Sequence, residues 1–206
     1  MSIQIEISGN NKEEAIRRGA CWDTENKLWY IPDNKRLHLF EQWLPFNALI
    51  VKSPLFFVVK QMTCPHCKQE TPYIIMGAKN IMLPLKSGEY TQWVETKKGC
   101  LFSNVEYIPH AVQNLVNLNF PFFKSMNSNE LKGEFMINEC IHCNTPLINY
   151  YDFFNTKEII NFLLNEKNFT KSNYQLNYLY DIPLVGLYTF NQLNELEMNV
   201  EDLIIY

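Results

Sequence analysis

The sequence predicts an α+β fold in three parts: a small βαβα-like N-terminal unit, a middle region tied together by four cysteines, and a mixed C-terminal extension. Three observations carry that prediction. Apolar residues alternate at Ile3, Ile5 and Ile7 and then switch to helical spacing, the change of period expected where a strand hands over to a helix. Two matching tetrapeptides, Cys64-Pro65-His66-Cys67 and Cys140-Ile141-His142-Cys143, repeat the C-x-x-C spacing of a structural zinc site. Beyond the second pair, helix-like and strand-like stretches alternate with an acidic bias. The parts fall at residues 1–46, 47–155 and 156–206, and the middle one reads as a zinc ribbon with a long insertion.

The elements follow from local signals. Ser8-Gly9-Asn10-Asn11 turns the chain and supplies an N-cap for a helix over residues 12–18, with Glu13 and Glu14 in its first turn and Arg17 and Arg18 in its last, as the helix dipole favours. Gly19 ends it. Leu28-Trp29-Tyr30-Ile31 reads as a strand stopped by Pro32, and Asp33 caps a second helix over residues 35–43, where Leu37, Phe40 and Leu44 make an apolar stripe. Pro45 closes the unit. Between the cysteine pairs, residues 73–76, 81–85 and 90–94 read as strands, and residues 109–118 as a helix with Val112, Leu115 and Val116 on one face. Phe120-Pro121-Phe122-Phe123 is core or a partner-docking patch, and residues 125–129 form a polar loop. In the extension, Thr156 caps a helix over residues 157–164, Asp181-Ile182-Pro183 is a break, residues 184–190 are apolar, and residues 191–197 make a last helix.

The case for zinc rests on the two residues between each pair of thiols, which let one tight turn aim both sulfurs at a single point about 2.3 Å away. Two such turns, contributing Cys64, Cys67, Cys140 and Cys143, complete a tetrahedron. The long stretch between them is no obstacle, because loop-closure entropy grows only with the logarithm of length. Cys-Pro-His-Cys is also the active-site tetrapeptide of strong thiol oxidants, which place the first cysteine at a helix N-terminus. Here Lys68-Gln69-Glu70-Thr71-Pro72 and an apolar, strand-like run follow, and the second pair has the same layout, so repetition favours metal. His66 and His142 are expected to point away from a site that four cysteines already fill.

With 206 residues, 47% of them hydrophobic and 19% charged, the chain has enough apolar material for one sizeable core or two small ones. Nothing approaches the length of a membrane span, and Met1-Ser2-Ile3-Gln4-Ile5-Glu6 lacks the basic flank and apolar block of a secretion signal, so the expected compartment is the cytoplasm. Cys21 and Cys100 are then spare thiols. A net charge of −4 argues against a broad cationic face for duplex DNA. Residues 1–60 carry eight bases and seven acids, whereas residues 151–206 carry three bases and eight acids, so any nucleic acid is expected at the N-terminal part.

Glu14-Ala15, Gly19-Ala20, Trp22-Asp23, Lys27, Trp29-Tyr30-Ile31-Pro32, Phe40 and Trp43-Leu44-Pro45 occur in an order that resembles the small tryptophan-rich domain of unknown function attached to plasmid-transfer primases and other mobile-element proteins. Cys21 departs from that family, which commonly has a basic residue there, and this weakens any phosphate contact carried over to the position. The region from Lys60 to Phe154 is similar to a zinc-ribbon arrangement that follows the domain in bacterial proteins. It shares the Lys68, Glu70, Thr71 and Pro72 that follow the first pair, and the aromatic segment Gly133–Asn138 that leads into the second. Asn144 stands where a glycine is usual and also tolerates positive φ. The resemblance implies metal binding and a nucleic-acid context, and no enzyme activity.

The leading expectation is therefore a non-enzymatic zinc-binding protein of a bacterial mobile-element setting. It contacts single-stranded nucleic acid through Arg17, Arg18, Lys27, Lys35, Arg36 and Trp29, with bases stacking on aromatic rings. Trp22 and Trp29 also suit a simpler role, since a unit this small fills its core with tryptophan. A protein-interaction module (inhibitor, immunity protein or complex subunit) is the first alternative, supported by the acidic extension. A thiol oxidoreductase using Cys64 and Cys67 is the second.

Overall fold

Strands rather than helices dominate the computed structural model, which describes residues 2–87, 90–128, 133–147, 171–190 and 200–202. In chain order they are β1 (Ile3–Ile5), α1 (Lys12–Arg18), β2 (Cys21–Asp23), β3 (Leu28–Ile31), β4 (Leu49–Val51), β5 (Leu55–Thr63), β6 (Glu70–Ala78), β7 (Ile81–Ser87), β8 (Tyr90–Thr96), β9 (Cys100–Tyr107), α2 (His110–Asn119), β10 (Phe123–Ser128), β11 (Gly133–Asn138), β12 (Lys171–Leu176), β13 (Ile182–Phe190) and β14 (Val200–Asp202). Nine of them form one sheet in the order β14-β12-β5-β6-β9-β13-β4-β7-β8. Every neighbouring pair is antiparallel except β12 with β14.

This overturns the expected α+β class. The N-terminal unit is not βαβα-like: it is a three-stranded antiparallel sheet, β1-β3-β2, with α1 as its one α-helix. The second expected helix is two short 3-10 helices, Asn34–Leu39 and Glu41–Trp43. The spacing explains why. Leu37, Phe40 and Trp43, all buried, recur every three residues, and a 3-10 helix stacks such residues on one face where an α-helix would fan them out. Nor is the middle region a ribbon interrupted by an insertion, because β6, β7, β8 and β9, all lying between the cysteine pairs, belong to the large sheet. The expected polar loop at 125–129 is strand through Ser128, paired with β11. From the expected extension, β12 and β13 lie inside the sheet, while the helices expected at 157–164 and 191–197 fall outside the described residues.

β5 and β9 escape a search for alternation because each carries a continuous apolar run, Leu55-Phe56-Phe57-Val58 and Cys100-Leu101-Phe102, buried on both faces. The main core joins the sheet to α2 through Val112 and Val116, and to the β10–β11 hairpin through Phe123 and Met136. Phe120 and Phe123 are buried there, so the aromatic cluster at 120–123 is core.

The N-terminal core of Ile3, Ile5, Ala15, Ile31, Leu37, Phe40 and Trp43 runs on without a break into Ile50 and Met82 of the large sheet. α1 ends as its sequence predicts. Gly19 takes φ 100°, its N–H bonds the Ile16 carbonyl, and the Ala20 N–H bonds that of Ala15, a Schellman closure. On the sheet's other face Tyr30 stacks on Tyr180 with ring centres 4.7 Å apart, and Tyr180 donates to Asp23 Oδ2 at 2.6 Å. Backbone bonds from Gln4 N–H to the Asp181 carbonyl and from Asp181 N–H to the Ser2 carbonyl join β1 to the start of β13.

Candidate metal centre

Each cysteine pair sits on a turn built to the same plan. In the first, the Cys64 N–H bonds the Gln69 carbonyl at 2.8 Å, the Lys68 N–H bonds the Cys64 carbonyl at 3.0 Å, and Lys68 adopts φ 63°. In the second, the Cys140 N–H bonds the Thr145 carbonyl at 2.9 Å, the Asn144 N–H bonds the Cys140 carbonyl at 2.9 Å, and Asn144 adopts φ 54°. The expected tolerance of Asn144 for positive φ is realised. One turn joins β5 to β6 and the other follows β11.

Three side chains bring the turns face to face. Asn138, at the end of β11, accepts from the Ile74 N–H at 2.8 Å and donates to the Ile74 carbonyl at 3.0 Å. Its amide stands in for a neighbouring strand, because β9 pairs with β6 only over Met76, Gly77 and Ala78. Thr71, fully buried, accepts from the Ile141 N–H at 3.1 Å, and the His142 ring Nε2 lies 2.8 Å from the Glu70 carbonyl oxygen. Neither Asn138 nor the His142 contact stands out in the sequence. Thr71 is visible only as part of a run shared with the resembling proteins.

The four sulfurs of Cys64, Cys67, Cys140 and Cys143 lie within 4.8 Å of one another. Across the two turns, Cys64 to Cys143 is 3.8 Å and Cys67 to Cys140 is 3.6 Å. A disulfide needs about 2.05 Å, whereas tetrahedral thiolates about 2.3 Å from a central ion stand about 3.8 Å apart, so these two opposite edges match a metal-sized tetrahedron. All four are free cysteines, and Cys64 and Cys140 are fully buried.

Their electrostatics fit a cation. Burial raises the Cys140 thiol, but backbone N–H groups of His142 and Cys143 directed at its sulfur outweigh this and bring it down to about 6. The Gln69 N–H works in the same direction on Cys67, yet there burial among the other sulfurs prevails and pushes the thiol up to about 12. Thr145 Oγ1 lies 3.3 Å from the Cys143 sulfur, and its contact lowers that thiol. Thiolates this close repel one another, and a divalent ion at the centre removes that penalty. The four cysteines could therefore hold a metal ion. His66 and His142 are outside the cluster. No helix begins at Cys67: β6 starts at Glu70.

The basic and aromatic candidates of the N-terminal unit divide into two groups. Arg18 donates to the Leu39 carbonyl at 2.8 Å, pairs with Glu14, and lies 5.3 Å from the centre of the Trp43 ring. Arg36 donates to the Arg18 carbonyl at 2.8 Å and covers Gly19, where a Cβ would come within 2.7 Å of its guanidinium. Both arginines tie α1 to the 3-10 helices. Arg17, Lys27 and Lys35 are exposed, and Trp29 is half-buried with its ring centre 5.3 Å from that of the exposed Trp22. The structure brings the four cysteines together, and it holds Arg18 and Arg36 by contacts within the N-terminal unit.

Residues 3–45 match the family model of a domain of unknown function, DUF5710. The DUF5710 match thus covers the three-stranded sheet, α1 and both 3-10 helices, and stops short of the cysteine turns. No curated protein and no solved structure matches the chain. No helix among the described residues is long and apolar enough to cross a membrane.

Proposed function

We propose that the cysteine cluster holds one structural zinc ion, and that the protein is a non-enzymatic binding protein of a bacterial mobile-element setting whose N-terminal unit contacts single-stranded nucleic acid. The observation that carries the metal assignment is the sulfur tetrahedron with edges of 3.6 and 3.8 Å. Four thiolates in tetrahedral array select zinc or iron, and zinc meets that geometry without redox chemistry. Four protein ligands leave no coordination position for water or substrate, which favours a structural over a catalytic ion. The same closure speaks against Cys64 and Cys67 as a redox pair.

Exposed Arg17, Lys27 and Lys35 and an exposed Trp22 in the N-terminal unit support a nucleic-acid contact, and so does the resemblance to primase-associated domains. Elemental analysis of the purified full chain is expected to find one zinc per chain. Iron in its place, or four thiols titratable without a chelator, refutes the metal assignment. Retention of single-stranded DNA or RNA that weakens steeply with salt is expected for the second half of the proposal, and failure to bind any oligonucleotide at low salt refutes it.

A further inference from the structure

The two 3-10 helices present a second row of side chains next to the buried one. Lys35, His38 and Glu41, again three residues apart, face the β7–β8 hairpin across a trench. The opposite wall is one face of that hairpin, where Met82 pairs with Glu95, Pro84 with Trp93 and Lys86 with Thr91. Glu41 bridges the trench midway: its carboxylate accepts from Thr91 Oγ1 at 3.0 Å and from Trp93 Nε1 at 3.4 Å. On one side of the bridge lies an opening of about 700 Å³ beside Lys35 and His38. On the other lies one of about 270 Å³ beside Phe46 and Lys86. Thr91 and Trp93 line both, so the two are halves of one track.

Along that track the side chains alternate in kind. Phe46 is 79% exposed, and the Lys86 Nζ stands 5.3 Å from the centre of its ring. Trp93 lies in the middle, and Lys35 and His38 at the far end. Flat apolar rings interleaved with cations are what an unpaired polynucleotide needs, rings for its bases and ammonium groups for its phosphates. Of the acids present, Glu95 is paired with the Lys52 Nζ at 2.7 Å, which leaves Lys35 and Lys86 against the one carboxylate of Glu41, held midway by Thr91 and Trp93. Lys35 and Lys86 then set the sign of the field at the two mouths.

We infer that this trench is the track for single-stranded nucleic acid, with bases stacked on Phe46 and Trp93 and phosphates paired to Lys35 and Lys86. The inference rests on the nucleic-acid reading above, and it assigns the contact to the trench rather than to the Arg17, Trp22 and Lys27 side of the unit. Glu41, held between the two halves, becomes an acceptor for an exocyclic amino group of a base.

The test is fluorescence anisotropy of a labelled oligodeoxycytidylate of about twelve nucleotides, whose bases carry an exocyclic amino group, titrated with the full chain at several salt concentrations. Phe46→Ala, at an exposed position that leaves the core intact, is expected to weaken binding about tenfold. Lys35→Ala with Lys86→Ala is expected to lower the slope of log affinity against log salt by about 1.4, two phosphate contacts at about 0.7 each on a single strand. Unchanged binding by both variants, with loss in Arg17→Ala and Trp22→Ala, overturns the trench and leaves the nucleic-acid reading standing. No binding by the wild-type chain at about 50 mM salt overturns both. Saturable capture of a peptide that Phe46→Ala abolishes, with no oligonucleotide competition, also overturns the trench assignment.

Discussion

Replacing Asn138 by alanine is expected to destabilise the protein by about 3–4 kcal/mol, although the residue touches no sulfur. Asn138 is only 4% exposed, and its side chain makes two hydrogen bonds to the Ile74 backbone, at 2.8 and 3.0 Å. Ile74 is itself 1% exposed, so alanine strands a buried N–H and a buried carbonyl together. Each such orphan costs about 1–3 kcal/mol, so the pair costs about 2–6 kcal/mol, and the expected loss lies within that range. For a chain of this size that loss lowers the melting temperature by roughly 10 °C. Urea unfolding of the metal-loaded protein, followed by tryptophan fluorescence, measures it through the shift in midpoint at constant slope. Because β11 carries the chain into Cys140, the variant is also expected to lose its metal to a chelator faster than the wild type. A loss below about 1 kcal/mol, or unchanged metal release, would show that Asn138 is not what binds the second turn to β6.

Four further outcomes follow from the same structure. Stripping the metal with a chelator is expected to lower the melting temperature and to loosen the β5–β6 turn first, seen as faster amide exchange around Cys64; unchanged exchange there refutes a structural ion. Gly19→Ala is expected to cost about 1–2 kcal/mol, since φ 100° strains a Cβ that also meets the Arg36 guanidinium at 2.7 Å; thermal melting checks it. Hydrogen bonds from Asn26 and Tyr180 depress the Asp23 carboxyl from 3.8 to about 2, so its contribution is fully present above about pH 4 and is lost as pH falls through 2. Near-ultraviolet circular dichroism of the Tyr30–Tyr180 stack reports that loss, and Asp23→Asn is expected to abolish the pH dependence. Cys100 is fully buried and burial pushes its thiol up to about 12, so it is expected to resist iodoacetamide at pH 8 until urea unfolds the sheet, as peptide mass mapping would show.

Local chemistry was readable from the residues alone. The repeated C-x-x-C pairs pointed to the four cysteines that cluster, Asn144 to a positive-φ turn, Gly19 to the end of α1, and Val112 and Val116 to the buried face of α2, because each of these depends on neighbours within a few residues. Over the second expected helix of the N-terminal unit, Leu37, Phe40 and Leu44 pass for a helical stripe because the span is so short, whereas the residues that are buried, Leu37, Phe40 and Trp43, repeat every three. The trench was invisible to the sequence: nothing in Lys35, Phe46, Lys86 or Trp93 says that a 3-10 helix and an edge hairpin some fifty residues apart will face each other.

What the sequence alone determined was therefore the identity of the candidate metal ligands and the short-range turns that present them. The tertiary structure decided the rest: one large antiparallel sheet in place of an interrupted ribbon, and the amide of Asn138 serving as a missing strand beside Ile74. The reason is physical. Turn geometry and thiol spacing are set by bonded neighbours, whereas strand pairing and the facing of surfaces are set by which buried apolar runs find one another across the whole chain, and β5 and β9 carry no alternation that marks a partner or a side.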